Sequence, residues 1–129
     1  MSHWLKALGH AEGPLPARWI EDGSLNSLRR TGFPRRPRMA PGDRLVYYAS
    51  VWQRVFAVVE VVTEPERVEH PRWPWVVRVE PLLVIPDLDA APPVQAIGVA
   101  PRSMSQQSHI RLTPAQFERA VEALASVAA

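Results

Sequence analysis

The chain has 129 residues, 47% of them hydrophobic, and a formal net charge of +2. That length suits one domain, read as 1–129, and that apolar share suits a packed core rather than a disordered chain. With no cysteine, disulfides, thiolate metal sites and a cysteine nucleophile are excluded, which fits a reducing compartment.

The opening MSHWLKALGH lacks the basic region and apolar run of a signal peptide. The longest apolar runs are broken by Arg54, Glu60, Arg78 and Glu80, so none is long enough to span a bilayer. The expected location is the cytoplasm. All but one of the 15 Lys and Arg residues are arginine, and the exception is Lys6. Arginine-rich usage can follow from a GC-rich genome. The clustering of arginines in residues 29–38, RRTGFPRRPR, needs another reason, because no acid falls between Ser24 and Gly42.

His3–Leu8 reads as the first strand. A Gly/Pro-rich loop follows, with room for one helical turn near Trp19 and Ile20. The arginine segment comes next. Its prolines at 34, 37 and 41 forbid a regular helix and favour an extended surface path. Pro41-Gly42-Asp43 signals a turn. Arg44–Ser50 (RLVYYAS) is rich in β-branched and aromatic residues and reads as a strand. Alternation would put Val46, Tyr48 and Ser50 on one face, and Leu45, Tyr47 and Ala49 on the other. A short link through Trp52 and Gln53 predicts a hairpin with the next strand, Arg54–Thr63, which is apolar on both faces and therefore lies centrally in a sheet or in a barrel wall.

Glu64–Pro71 is a charged loop. Trp75–Ile85 is a long strand in which Pro81 implies an edge or a bulge. A short helix is possible over Val94–Ile97, and Ile110–Leu112 suits a last strand. Thr113-Pro114-Ala115-Gln116 then supplies a helix N-cap, a proline at the first helical position and a glutamine three residues after the cap. Phe117, Ala120, Val121 and Leu124 form one apolar stripe on that helix. There are no internal repeats. The pattern predicts an α+β domain, with about five or six strands in a curled sheet and one C-terminal amphipathic helix.

These stretches resemble, in order, the EVE domain family of the PUA-like superfamily, which is related to the YTH and ASCH domains. His3-Trp4-Leu5 is similar to the family's Tyr-Trp-Leu opening. Pro41–Ser50 is similar to its Gly-Asp strand ending in serine. Val55–Pro65 resembles its next strand, and Trp75–Leu83 with Ser108–Leu124 resembles its later strand and terminal helix. The chain departs from the family in two places. It has Tyr48-Ala49-Ser50 where Tyr-His-Ser is usual. It has Trp19 and an arginine-rich loop where a Trp-x-x-x-Arg-Asn type stretch is usual. The resemblance implies a PUA-like curled β-barrel with a pocket for a flipped, often modified, base between aromatic walls. It implies no cofactor, metal or reaction.

The residues can be read the same way. Five tryptophans are many for this length, and Trp19, Trp52, Trp73 and Trp75 fall at strand ends or in loops. Stacking a base on such a ring contributes about 1–3 kcal/mol. The polar edge of an unstacked base must also be satisfied. The expected base-binding set is Trp19, Tyr48, Ser50, Trp52, Trp75, Gln107 and Ser108. Arg35, Arg36, Arg38 and Arg102 are expected on the phosphates. Plainer roles compete with each of these: core plugs for the tryptophans and Tyr48, a strand cap for Ser50, and solvated loops for the glutamines and arginines.

Catalytic patterns are absent from the sequence. His3, His10, His70 and His109 are scattered without HExxH spacing, and no GxSxG, P-loop or GxGxxG occurs. The expectation is a non-enzymatic module that binds DNA or RNA, captures a single, modified base in an aromatic cage, and needs no cofactor or metal. The alternatives are a sensor of free nucleosides that uses the same pocket, and a protein-interaction module built on Trp73 and the proline-rich loops.

Overall fold

A computed structural model describes residues 1–9, 14–19 and 28–128. Its strands are β1 (His3–Leu8), β2 (Arg30–Phe33), β3 (Arg44–Ala49), β4 (Arg54–Val61), β5 (Glu66–Arg67), β6 (Trp75–Val84) and β7 (His109–Leu112). Two short 3-10 turns, Val94–Ile97 and Pro101–Met104, precede β7, and a helix α1 (Pro114–Ala128) closes the chain. The strand order is β2-β6-β4-β3-β1-β7, with β5 added beside β6. Among the described residues, only β1 and β3 pair in parallel; the other pairs are antiparallel.

The apolar pattern explains this order. In β4, Val55 to Val59 are buried without interruption, so the strand sits between β3 and β6 with both faces covered. β3 is buried on both faces as well, and its register shifts between Tyr47 and Tyr48. That irregularity interrupts the simple alternation expected along the strand. β6 changes partner along its length: Trp75 to Arg78 pair with β2, and Val79 to Val84 pair with β4. Pro81 lies opposite Val59, where the β4–β6 register shifts, in a half of the strand that has no ladder on its other side. A residue without an N–H is accommodated there.

The structure has two short strands that the residue pattern does not predict, β2 and β5. Arg30–Phe33 belongs to the segment expected to run extended over the surface. It is extended, but it is also a sheet strand, because Thr31 and Phe33 turn inward and β6 offers a free edge. The turn at Ala17–Trp19 lies where a helical turn was expected, while Ile20 is outside the described residues.

Asp43 sets the parallel β1–β3 register. Its carboxylate is buried and accepts hydrogen bonds from Ser2 N–H (2.9 Å), the Trp4 indole (3.3 Å) and Ala40 N–H (3.2 Å). It therefore ties the start of β1 to the turn before β3. Gly42, at φ +95°, supplies the left-handed residue of that turn.

The predicted capping box at α1 is present. Gln116 N–H donates to Thr113 Oγ1 (3.1 Å), and Thr113 N–H donates to Gln116 Oε1 (2.9 Å). Phe117, Ala120 and Leu124 are buried and Val121 half-buried, so the expected stripe faces the sheet. The helix packs on the Val94–Ile97 turn and on β6 and β4. Phe117 also stacks on the His3 ring, with centroids 4.1 Å apart.

Candidate ligand cavity

The sheet curls until its two end strands meet through side chains. Phe33 of β2 places its ring edge-on to His109 of β7, with centroids 5.1 Å apart. Beside this seam lies a cavity of about 510 Å³, within the usual range for small-molecule sites. Lys6, Ala7, Leu8 and Gly9 form one wall, and Arg30, Thr31, Gly32 and Pro34 form the opposite one. Ser50, Met104, Gln106, Gln107 and Ser108 line it from the neighbouring loops, and Trp73 adds an indole that is 41% exposed.

Gly32 sets the position of Trp73. A Cβ added at Gly32 would stand 2.8 Å from Trp73 Cβ, so only glycine permits this approach. The Trp73 ring also stacks on His70 (5.0 Å, 28°). His70 is fixed in turn, because its Nδ1 accepts from the backbone N–H groups of Arg72 and Trp73, both at 3.1 Å. A second hollow, of about 280 Å³, lies on the His70 side of Trp73, so the indole separates two concave surfaces.

The inner wall of the cavity is unusual in charge. Lys6 is only 5% exposed. Its ammonium donates to Ala7 C=O (2.8 Å) and lies 4.9 Å from the Phe33 ring centroid. Burial pulls its pKa down to about 8. Burial, followed by the Lys6 charge, also holds His109 below its ordinary value. Tyr47 is pushed up by burial, and its phenol interacts with the Thr31 side chain. That contact falls outside ordinary hydrogen-bond geometry, and among the described residues Thr31 Oγ1 has no other partner.

Ser50, Gln107 and Ser108, named from the sequence, come together in this cavity. Tyr48 and Arg102 do not line it. They line an adjoining hollow of about 420 Å³ that shares Ser50 and Met104 with it.

Trp19 is not at a ligand site. It is fully buried, its indole donates to Ile85 C=O (2.9 Å), and it packs edge-on against Phe56. Trp52 is half-buried and donates to Leu15 C=O (2.8 Å), which ties its loop to the 14–19 segment. Trp75 lies at the start of β6, with the guanidinium carbons of Arg36 and Arg67 at 5.2 and 5.6 Å from its ring. These three indoles had partners nearby, whether a carbonyl, a ring or a guanidinium, and packing or pairing with them removed each from the cavity.

Arg35, Arg36 and Arg38 are exposed, and Arg36 is committed in part to Trp75. Arg30, at the mouth, was not singled out from the sequence, nor were Lys6 and Gly32. The lone lysine of an arginine-rich chain was the available signal for Lys6. Among the described residues, no three His, Asp or Glu side chains converge as metal ligands, and no helix is long and apolar enough to cross a membrane.

No protein-family model matches the chain. No curated protein matches it either. Solved structures do match over nearly the full length. Rpa0253 from Rhodopseudomonas palustris, solved by NMR, superposes with a TM-score of 0.62 at 14% identity, covering 98% of this chain and 94% of that one. Atu2648 from Agrobacterium tumefaciens gives 0.61 at 17% identity, covering 95% and 93%. Human THYN1, solved in complex with DNA containing 5-methylcytosine, gives 0.57 at 14% identity, covering 95% and 96%. The likeness is one of fold: a curled mixed sheet forming a PUA-like half-barrel, with one C-terminal helix.

Proposed function

We propose that this chain is a nucleic-acid-binding module of the EVE kind, which catalyses nothing and receives one base, taken out of its stack, in the cavity between β1 and β2. The observation that carries this reading is the composition of the cavity wall. A partly exposed indole, Trp73, stands beside hydrogen-bonding groups from Lys6, Ser50, Gln107 and Ser108. A flat heterocycle needs one surface to stack on and a polar edge to satisfy, and this wall offers both.

Two further observations support it. Arg30 lies at the cavity, and Arg35, Arg36 and Arg38 follow it along the chain with exposed side chains, where a sugar-phosphate backbone would pass. THYN1, which shares the fold, was solved with methylated DNA. The aromatic wall differs from the cage expected from the sequence. In this reading Trp73 supplies the stacking face, and Gln107, Ser108 and Ser50, which line the same cavity, supply the polar edge.

Titration of short single-stranded and duplex oligonucleotides, with plain or modified bases, against the parent and Trp73→Ala tests the reading. Saturable binding that Trp73→Ala weakens at least fivefold supports it. Binding of free nucleosides without any affinity for oligonucleotides would replace it with a nucleoside sensor. Binding of neither would refute it.

A further inference from the structure

We propose that Lys6 makes this cavity selective for a heterocycle whose ring carries a compact anionic group, a carboxylate on a pyrimidine being the simplest case. The inference rests on the base-pocket reading above and specifies the occupant.

The starting point is an imbalance of charge. Among the described residues, those lining the cavity include two cations, Lys6 and Arg30, and no aspartate or glutamate. Lys6 is buried, whereas Arg30 is exposed at the rim. An ammonium has three N–H donors. Among the described residues Lys6 has one hydrogen-bond acceptor, the Ala7 carbonyl, and the face of Phe33 is its other electrostatic contact. A buried cation without a carboxylate is costly, and a protein fold gains nothing from it that a methionine would not supply. The missing partner is then supplied from outside. The cavity that Lys6 lines admits a ligand, and a negative group reaching the inner wall would complete the pair with charge-assisted hydrogen bonds. Trp73 would hold the ring, leaving Gln107 and Ser108 for its neutral edge.

The groups facing Lys6 allow its titration to be isolated. His109 lies opposite it on β7, Tyr47 opposite it on β3, and Phe33, Thr31 and Arg30 approach from β2. His109 is held low and Tyr47 is pushed up. Between roughly pH 7.5 and 9.5 Lys6 is therefore the group at this wall that changes charge.

The test compares 5-carboxylcytosine with 5-methylcytosine, each as the free deoxynucleoside and within a short oligonucleotide, by isothermal titration calorimetry. The folded parent and Lys6→Met are used, with melting curves as a check on folding. The expected result is at least tenfold tighter binding of the carboxylated base by the parent, with that preference abolished in Lys6→Met. At pH 8.5, in buffers of different ionisation heat, the parent should take up protons on binding the carboxylate and none on binding the methyl form. This second measurement needs no variant. Preference in the oligonucleotide arm alone identifies a nucleic-acid ligand, and preference in both arms a free or polymeric one; either supports the inference. If methylated and carboxylated bases bind alike, or if Lys6→Met keeps the preference, Lys6 selectivity is refuted while the base pocket stands. If no base binds in any arm, both readings fall.

Discussion

Phe33 and His109 belong to the two opposite ends of the strand order, yet their rings meet edge-on at 5.1 Å. The half-barrel is therefore closed at this seam by side chains, with no ladder between β2 and β7. A seam closed by side chains can leave space where a ladder would leave none. The cavity lies beside it, with Lys6 and Thr31 on its walls.

Trp73 should matter for binding far more than for stability. It is 41% exposed, so truncation removes less buried area than at the fully buried Trp19. Trp73→Ala is expected to weaken base binding by about 1–3 kcal/mol, with a melting temperature near the parent's. Trp52→Ala should show the converse, since its indole holds the Leu15 carbonyl. Parallel titrations and thermal melts of the two variants check the contrast.

Replacing Arg35, Arg36 and Arg38 by alanine should weaken binding to every strand alike. The slope of log K against log salt should flatten by about 0.7–0.9 for each phosphate that is no longer neutralised. Arg36 also covers Trp75, so its single variant should cost some stability as well, whereas Arg35→Ala and Arg38→Ala should not. Titrations at a series of salt concentrations measure the slopes, and an unchanged slope in the triple variant removes the backbone role.

Gly32→Ala should disturb the wall through Trp73. The new methyl would meet Trp73 Cβ at 2.8 Å, and neither atom is the end of a flexible side chain. A cost of about 1–3 kcal/mol is expected from overpacking, together with weakened base binding. In a Trp73→Gly background the opposing atom is absent, so the same substitution should cost much less. A double-mutant cycle by denaturant unfolding tests this.

The buried lysine predicts an unusual pH profile. Its folded pKa of about 8 lies below the ordinary 10.5, so between these values the unfolded chain binds the extra proton. Stability from this group therefore rises with pH from about 8 toward 10, and below 8 the full penalty, about 3 kcal/mol, is present. Above about 10 the raised Tyr47 pKa works in the opposite sense. Lys6→Met should be more stable than the parent at pH 7 and should lack the alkaline rise. Urea unfolding between pH 6 and 10 measures both. A stabilised Lys6→Met that no longer discriminates between ligands would show what the lysine is kept for.

Thr113→Ala should cost about 1 kcal/mol through removal of the cap on α1, and Gln116→Ala somewhat less. Neither residue lines the cavity, so base affinity should stay within twofold of the parent. Thermal melts followed by titration test the separation.

Local signals in the sequence determined most of the secondary structure. The apolar runs of β3, β4 and β6, the Pro41-Gly42-Asp43 turn and the Thr113–Gln116 cap each act within a few residues, so each was legible without the fold. The residue pattern pointed to a curled sheet with one C-terminal helix, and the resemblance to the EVE family implied the PUA-like half-barrel. Part of the cavity lining was legible, because Ser50, Gln107 and Ser108 stand close to strand ends.

Tertiary structure alone decided which tryptophan faces the cavity. Trp19, Trp52 and Trp73 all occur in loops, and an indole's local sequence carries no sign of its distant partner. Trp19 became core because Ile85 and Phe56 come to it from far along the chain. Trp73 stayed partly exposed because Gly32 and His70 hold it at the rim. The arginine segment became strand β2 because β6 had an edge to pair. The burial of Lys6 likewise follows from the closure of β2 over β1, a long-range packing event that no short stretch of residues encodes.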